Sequence, residues 1–132
     1  MKDKLALAQG WMRKGDSDLA DARRTVGSDG PYDTACFHAQ QAAEKYLKAL
    51  IALHGRPIPR THDLEELERS CQEIKPLPEL GQLDLSELTG YAVELRYDAE
   101  FWPARETASE AVAVAEQVRA IVLTLLPAAA RP

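Results

Sequence analysis

One hydrophobic pattern dominates the chain. Residues 32–54, YDTACFHAQQAAEKYLKALIALH, hold no Gly or Pro and are rich in Ala, Leu, Lys, Glu and Gln, all good helix formers. A helix of this length extends roughly 34 Å, enough to cross a small domain. At 100° per residue, Ala35, Cys36, Ala39, Ala42, Ala43, Tyr46, Leu47, Leu50 and Leu53 fall on one wide face that other helices must cover. Beside that face runs a polar stripe, His38, Gln41, Lys45 and Lys48, at helical spacing. The stripe reads either as a solvated face or as a surface for a ligand or partner.

The flanking segments share the helical period. A first helix is expected over residues 2–26, with Leu5, Ala8, Met12, Leu19, Ala22 and Val26 inward and Trp11 at the edge of the stripe. Gly15 falls within that stripe and weakens a helix by about 1 kcal/mol relative to Ala, so with Asp16 and Asp18 it marks the place for a bend. The Gly- and Pro-bearing loop 27–31 is short, which returns the second helix antiparallel to the first. Gly55 is a C-cap residue, and Pro57 and Pro59 enforce an extended link. Thr61 is the expected cap of a third helix, 62–74, that buries Leu64, Leu67, Cys71 and Ile74. Residues 79–83 fit a turn of helix or a packed loop.

A fourth helix is expected over residues 85–97, with Leu85, Leu88, Tyr91, Ala92 and Leu95 inward. Pro103 breaks the next segment, DAEFWPAR, and Thr107 with Glu110 forms the pattern of a capping box for a last helix that ends before Pro127. The tail AAARP is expected to fray. No stretch alternates with period two. The prediction is an all-α, up-and-down helical bundle of four main helices plus a short helix, in one domain over residues 1–132.

Composition narrows the chemistry. The net charge of −5 excludes a general basic coat for nucleic acid, so any RNA contact needs a local positive cleft. No run of about 20 apolar residues supplies a membrane span, and the N-terminus lacks a signal-peptide core, so a cytoplasmic protein is expected. Cys36 and Cys71 sit at apolar helix positions and read as buried free thiols. Neither cysteines nor histidines have zinc spacing, and no glycine loop cradles a phosphate, so no metal or cofactor is expected.

His54 suits the C-terminal dipole of its helix, and His62 a structural role at the following connection. Three clusters remain. One is the stripe His38, Gln41, Lys45 and Lys48. The second is Arg56, Arg60, Thr61 and His62, whose guanidiniums suit either a phosphate or simple solubility. The third is residues 94–98, where Arg96 also complements a helix C-terminus.

FHAQQAAEKYLKAL, a Gly-Arg-Pro loop, THDL, and a tyrosine-bearing helix ending in ELRYD together resemble the HEPN family, the higher eukaryote and prokaryote nucleotide-binding domain. The likeness spans almost the whole chain, from the Trp11 helix to the alanine-rich last helix. It implies a helical bundle that commonly dimerises, often beside a minimal nucleotidyltransferase as a toxin–antitoxin pair. Active members are metal-independent ribonucleases with an arginine, four to six residues, then a histidine.

On this chain the arginine falls on Arg96. Beyond it stand Phe101, Trp102, Pro103, Ala104 and Arg105, and no histidine follows His62. Arginine grips a phosphate but does not shuttle a proton at neutral pH. The resemblance therefore implies a module in which Arg96, His38, Gln41 and Lys45 line a polar cleft for a nucleotide or RNA phosphate, without efficient cleavage. The alternatives are an active ribonuclease using a displaced His38 or His62, and a structural adaptor with no ligand. Tyr97, Phe101 and Trp102 are expected either to anchor a homodimer or to form a lid over the bundle's end.

Overall fold

The computed structural model describes residues 3–132 and, among them, contains helices and no strand: α1 (Lys4–Val26), α2 (Asp33–Leu53), α3 (Leu64–Ile74), α4 (Pro78–Gly81), α5 (Leu85–Tyr97) and α6 (Arg105–Leu123), closed by a 3-10 turn at Ala128–Ala130. The all-α bundle expected from the periodicity is the fold observed. The expected start of the first helix at Lys2 lies outside the described residues.

Helix α2 is the centre, touching α1, α3, α5 and α6. Its predicted apolar face is buried except for the half-buried Leu53, and Gln40, Glu44 and Lys48 on its other sides are buried too. Contacts between α1 and α2 pair Trp11 with Lys48, Gly15 with Tyr46 and Asp18 with His38, so the two helices run antiparallel. The short loop between them leaves no other course.

Helix α1 is unbroken through Gly15. The glycine is there for packing. It is buried, and a Cβ at this position would lie 2.6 Å from Cε1 of Tyr46, whose side chain is fully buried. Tyr46 is held in turn by its hydroxyl, which donates to Asp16 (2.7 Å), and Arg119 of α6 binds the same carboxylate (2.8 Å).

Several ends differ from expectation. Asp63, not Thr61, caps α3, accepting from the N–H groups of Glu65 and Glu66, while the Thr61 hydroxyl accepts from the Asp63 N–H. Helix α6 begins at Arg105, directly after Pro103 and Ala104 set an extended lead-in, so Thr107 is already inside it and no capping box forms. Residues 78–81 make a single helical turn that buries Leu80. The tail is docked rather than frayed: Ala130 is buried, Gln9 donates to the Arg131 carbonyl (3.1 Å), and the Arg131 guanidinium donates to the Leu126 carbonyl (3.1 Å). Gly55 takes φ +66 just past the end of α2, the left-handed conformation of a helix stop. The His54 ring donates to the Leu50 carbonyl (3.1 Å) at the same end.

Candidate functional site

The polar stripe of α2 is only partly solvated: Lys48 is buried, and His38, Gln41 and Lys45 are half-buried. Asp18 reaches across from α1 and bridges two of its members, with Oδ1 accepting from Nδ1 of His38 (2.8 Å) and Oδ2 from Nζ of Lys45 (2.5 Å). His38 and Lys45 are two helical turns apart and share the side that meets α1. Asp18 is largely shielded from water, which strengthens both contacts.

One turn on, Glu44 does the same for a second set. Its Oε2 accepts from Nζ of Lys48 (2.9 Å), and its Oε1 from Nδ1 of His62 (2.8 Å) and from Nε2 of Gln40 (3.3 Å). Gln40 also donates to the His62 carbonyl, which ties the α2–α3 connection to α2, and Gln41 donates to Gln40 (2.7 Å). The Lys48 ammonium lies 5.5 Å from the centre of the Trp11 ring. No buried side-chain nitrogen or oxygen among the described residues lacks a partner.

Arg96 ends α5. It is exposed, and no carboxylate among the described residues pairs with it. Its guanidinium carbon stands 5.9 Å from the centre of the Phe37 ring, a cation–π placement. Phe37 meets the His38 ring edge-on at 5.4 Å. A continuous line therefore runs from Arg96 through Phe37 and His38 to Asp18 and Lys45. Gln41 sits beside the line on α2 but bonds into the Gln40–Glu44 set. The fold places Arg96 and His38 on one track, separated by Phe37 rather than in contact.

His62 belongs to the Glu44 network, and the remaining loop groups diverge: Arg56 approaches Glu73 at 3.9 Å and Thr61 bonds the backbone. His62, Arg56 and Thr61 are thus each engaged with a different partner. On α5 Val93 and Tyr97 are exposed, with Tyr97 80% accessible, and so is Trp102 in the segment that follows, whereas Phe101 is half-buried and stacked on Tyr91 at 5.6 Å. The aromatic cluster thus divides into a packed member and two outward ones.

Burial pushes the thiols of Cys36 and Cys71 up to about 12, with nearby carboxylates adding to the effect, so neither is a thiolate nucleophile near neutral pH. No group of three His, Cys, Asp or Glu side chains among the described residues is arranged to hold a metal, and no helix among them is long and apolar enough to cross a membrane.

A family model of the HEPN domain matches residues 8–125. The chain belongs to the HEPN family. Among solved structures, this HEPN domain is similar to TT1696 from Thermus thermophilus, at 33% identity over 89% of this chain and 96% of that one, with a TM-score of 0.73. It shares its fold with ST0689, an archaeal HEPN homologue, at 21% identity, 96% and 100% coverage and a TM-score of 0.67. None of the curated proteins matches it.

Sequence reasoning overlooked Asp18, Glu44 and Phe37 as parts of the site. Glu44 and Lys48, four apart on α2, were the available signal for an ion pair along the helix. Nothing in the local pattern of α1 marked Asp18 as the partner of His38 and Lys45.

Proposed function

We propose that this HEPN domain is a binding module for the phosphate of a nucleotide or RNA, with Arg96, His38, Gln41 and Lys45 at its site. It acts as a homodimer and as the partner of a nucleotidyltransferase-type protein in a toxin–antitoxin pair. One observation carries this reading. Arg96 is an exposed guanidinium that folding leaves without a carboxylate, held in place by the Phe37 ring and continued by His38 and Lys45. Such a cation is ready for an external anion, and arginine suits the geometry of phosphate oxygens.

Equilibrium titration with nucleotides and short RNAs tests the reading. Arg96→Ala is expected to weaken binding at least about tenfold, and Lys45→Ala less, because Asp18 already shares its charge. Equal binding by Arg96→Ala and the parent removes the arginine from the site.

A second reading, a ribonuclease with a displaced histidine, is favoured by the Asp18–His38 contact. A carboxylate on Nδ1 fixes the ring and leaves Nε2 as the nitrogen that accepts a proton. Incubation with RNA in the presence of a chelator separates the two. Cleavage that disappears in His38→Ala but survives in His62→Ala establishes the enzyme.

A further inference from the structure

A groove of about 770 Å³ opens along the outer side of α1, away from the Arg96 end of the track. Its walls include Leu7, Gly10, Trp11 and Lys14 of α1 together with Lys45 of α2. This size suits a small organic ligand. Its chemistry is graded. Leu7 and Trp11 are apolar, Lys14 and Lys45 supply positive charge further along, and Asp3 marks the opposite end. No carboxylate among the described residues pairs with Lys14.

The two glycines of α1 sharpen the point. Gly15 is explained by Tyr46. A Cβ at Gly10 would meet nothing within 4 Å, so packing does not require a glycine there. Glycine inside a helix costs stability relative to alanine. What Gly10 does achieve is to leave the groove open beside the Trp11 ring.

We infer that this groove is a nucleobase subsite: the base of a nucleotide stacks on Trp11 and its phosphate lies toward Lys14 and Lys45. The inference rests on the nucleotide- or RNA-phosphate reading above and extends it to a part of the surface that Arg96 does not reach. Lys45 belongs to both, lining the groove while bonded to Asp18 on the track. The ligand chemistry is a flat aromatic base with an anionic phosphate, supplied by a free nucleotide or by one unit of a single-stranded RNA.

The test uses the full chain, isotope-labelled, and follows its two tryptophan indole N–H signals by NMR during titration with AMP and, separately, a short single-stranded oligoadenylate. Trp102→Phe assigns the signals. The Trp11 signal is expected to move, and Gly10→Leu, whose Cβ meets open space and whose branched end adds bulk beside Trp11, is expected to suppress that movement and weaken binding at least about tenfold. Movement with AMP identifies the free nucleotide as a sufficient source; movement only with the oligoadenylate identifies RNA. A stationary Trp11 signal, or Gly10→Leu binding as tightly as the parent, overturns the groove. If Arg96→Ala still abolishes binding in that case, the phosphate site stands without it. Absence of binding of either ligand to the parent overturns both.

Discussion

Gly15 and Tyr46 fill a space that has no room for another carbon. Alanine is the better helix former by about 1 kcal/mol, yet its methyl at position 15 would sit 2.6 Å from a ring carbon that is fully buried and tethered through Asp16 to Arg119. Overpacking of this kind costs about 1–3 kcal/mol, so Gly15→Ala is expected to lower the urea midpoint with an unchanged slope. A raised midpoint would show that propensity wins. The same tyrosine sets an alkaline limit. Burial, and then the hydrogen bond to Asp16, push its phenol above the ordinary value of 10.0, and Tyr91 is raised by burial and by Glu87. A raised folded-state value means that the folded protein keeps its proton where the unfolded chain loses it. This stabilisation is complete below pH 10 and declines as pH rises beyond it. Denaturation midpoints taken from about pH 8 to pH 11 are expected to fall most steeply above the usual phenol value, and Tyr46→Phe to reduce that slope while Tyr91 keeps the remainder.

At the scale of elements, the buried carboxylate of α2 governs the outcome. Glu44 holds Lys48, His62 and Gln40 together, and both members of the Glu44–Lys48 pair are nearly sealed from water. Removing one partner leaves an uncompensated charge inside, which costs about 3–5 kcal/mol. Lys48→Met should therefore lower stability sharply in thermal or urea unfolding, and adding Glu44→Gln should restore much of it. Equal stability for Lys48→Met and the parent would mean that water reaches Glu44. This pair also marks the border of what the sequence could tell. Helix α5 follows its period from Leu85 to Tyr97, and the wide face of α2 is legible from alanine and leucine spacing alone. Helix ends were less legible, because Thr61 and Asp63 are both good caps and only the path of the Pro-rich link decides between them. The polar stripe was legible as a stripe but not as a set of ion pairs. Its partner Asp18 lies twenty residues before His38, and only the antiparallel return of α2 brings them together.

For the whole molecule, the outward face at the end of α5 is the unfinished surface. Val93, Tyr97 and Trp102 are 56%, 80% and 63% accessible, while Phe101 between them in sequence is anchored against Tyr91. A chain of net charge −5 has ample polar material for its exterior, yet Val93 and Tyr97 stand exposed one helical turn apart on α5, and exposed apolar groups set together in this way mark an interaction site. Aromatic anchors next to an arginine have the composition of an interface centre. A symmetric pairing through this patch would bring two copies of Arg96 toward each other and form one phosphate cleft from two chains. Light scattering is expected to give twice the chain mass, and Tyr97→Ala with Trp102→Ala to loosen the dimer at least about thirtyfold, the equivalent of about 2 kcal/mol. Phosphate binding should then weaken in step with dissociation, because each half-site keeps only its own guanidinium. A parent protein that stays monomeric at every concentration refutes the shared cleft, and a dimer whose variants dissociate without any loss of ligand affinity places the phosphate site wholly within one chain.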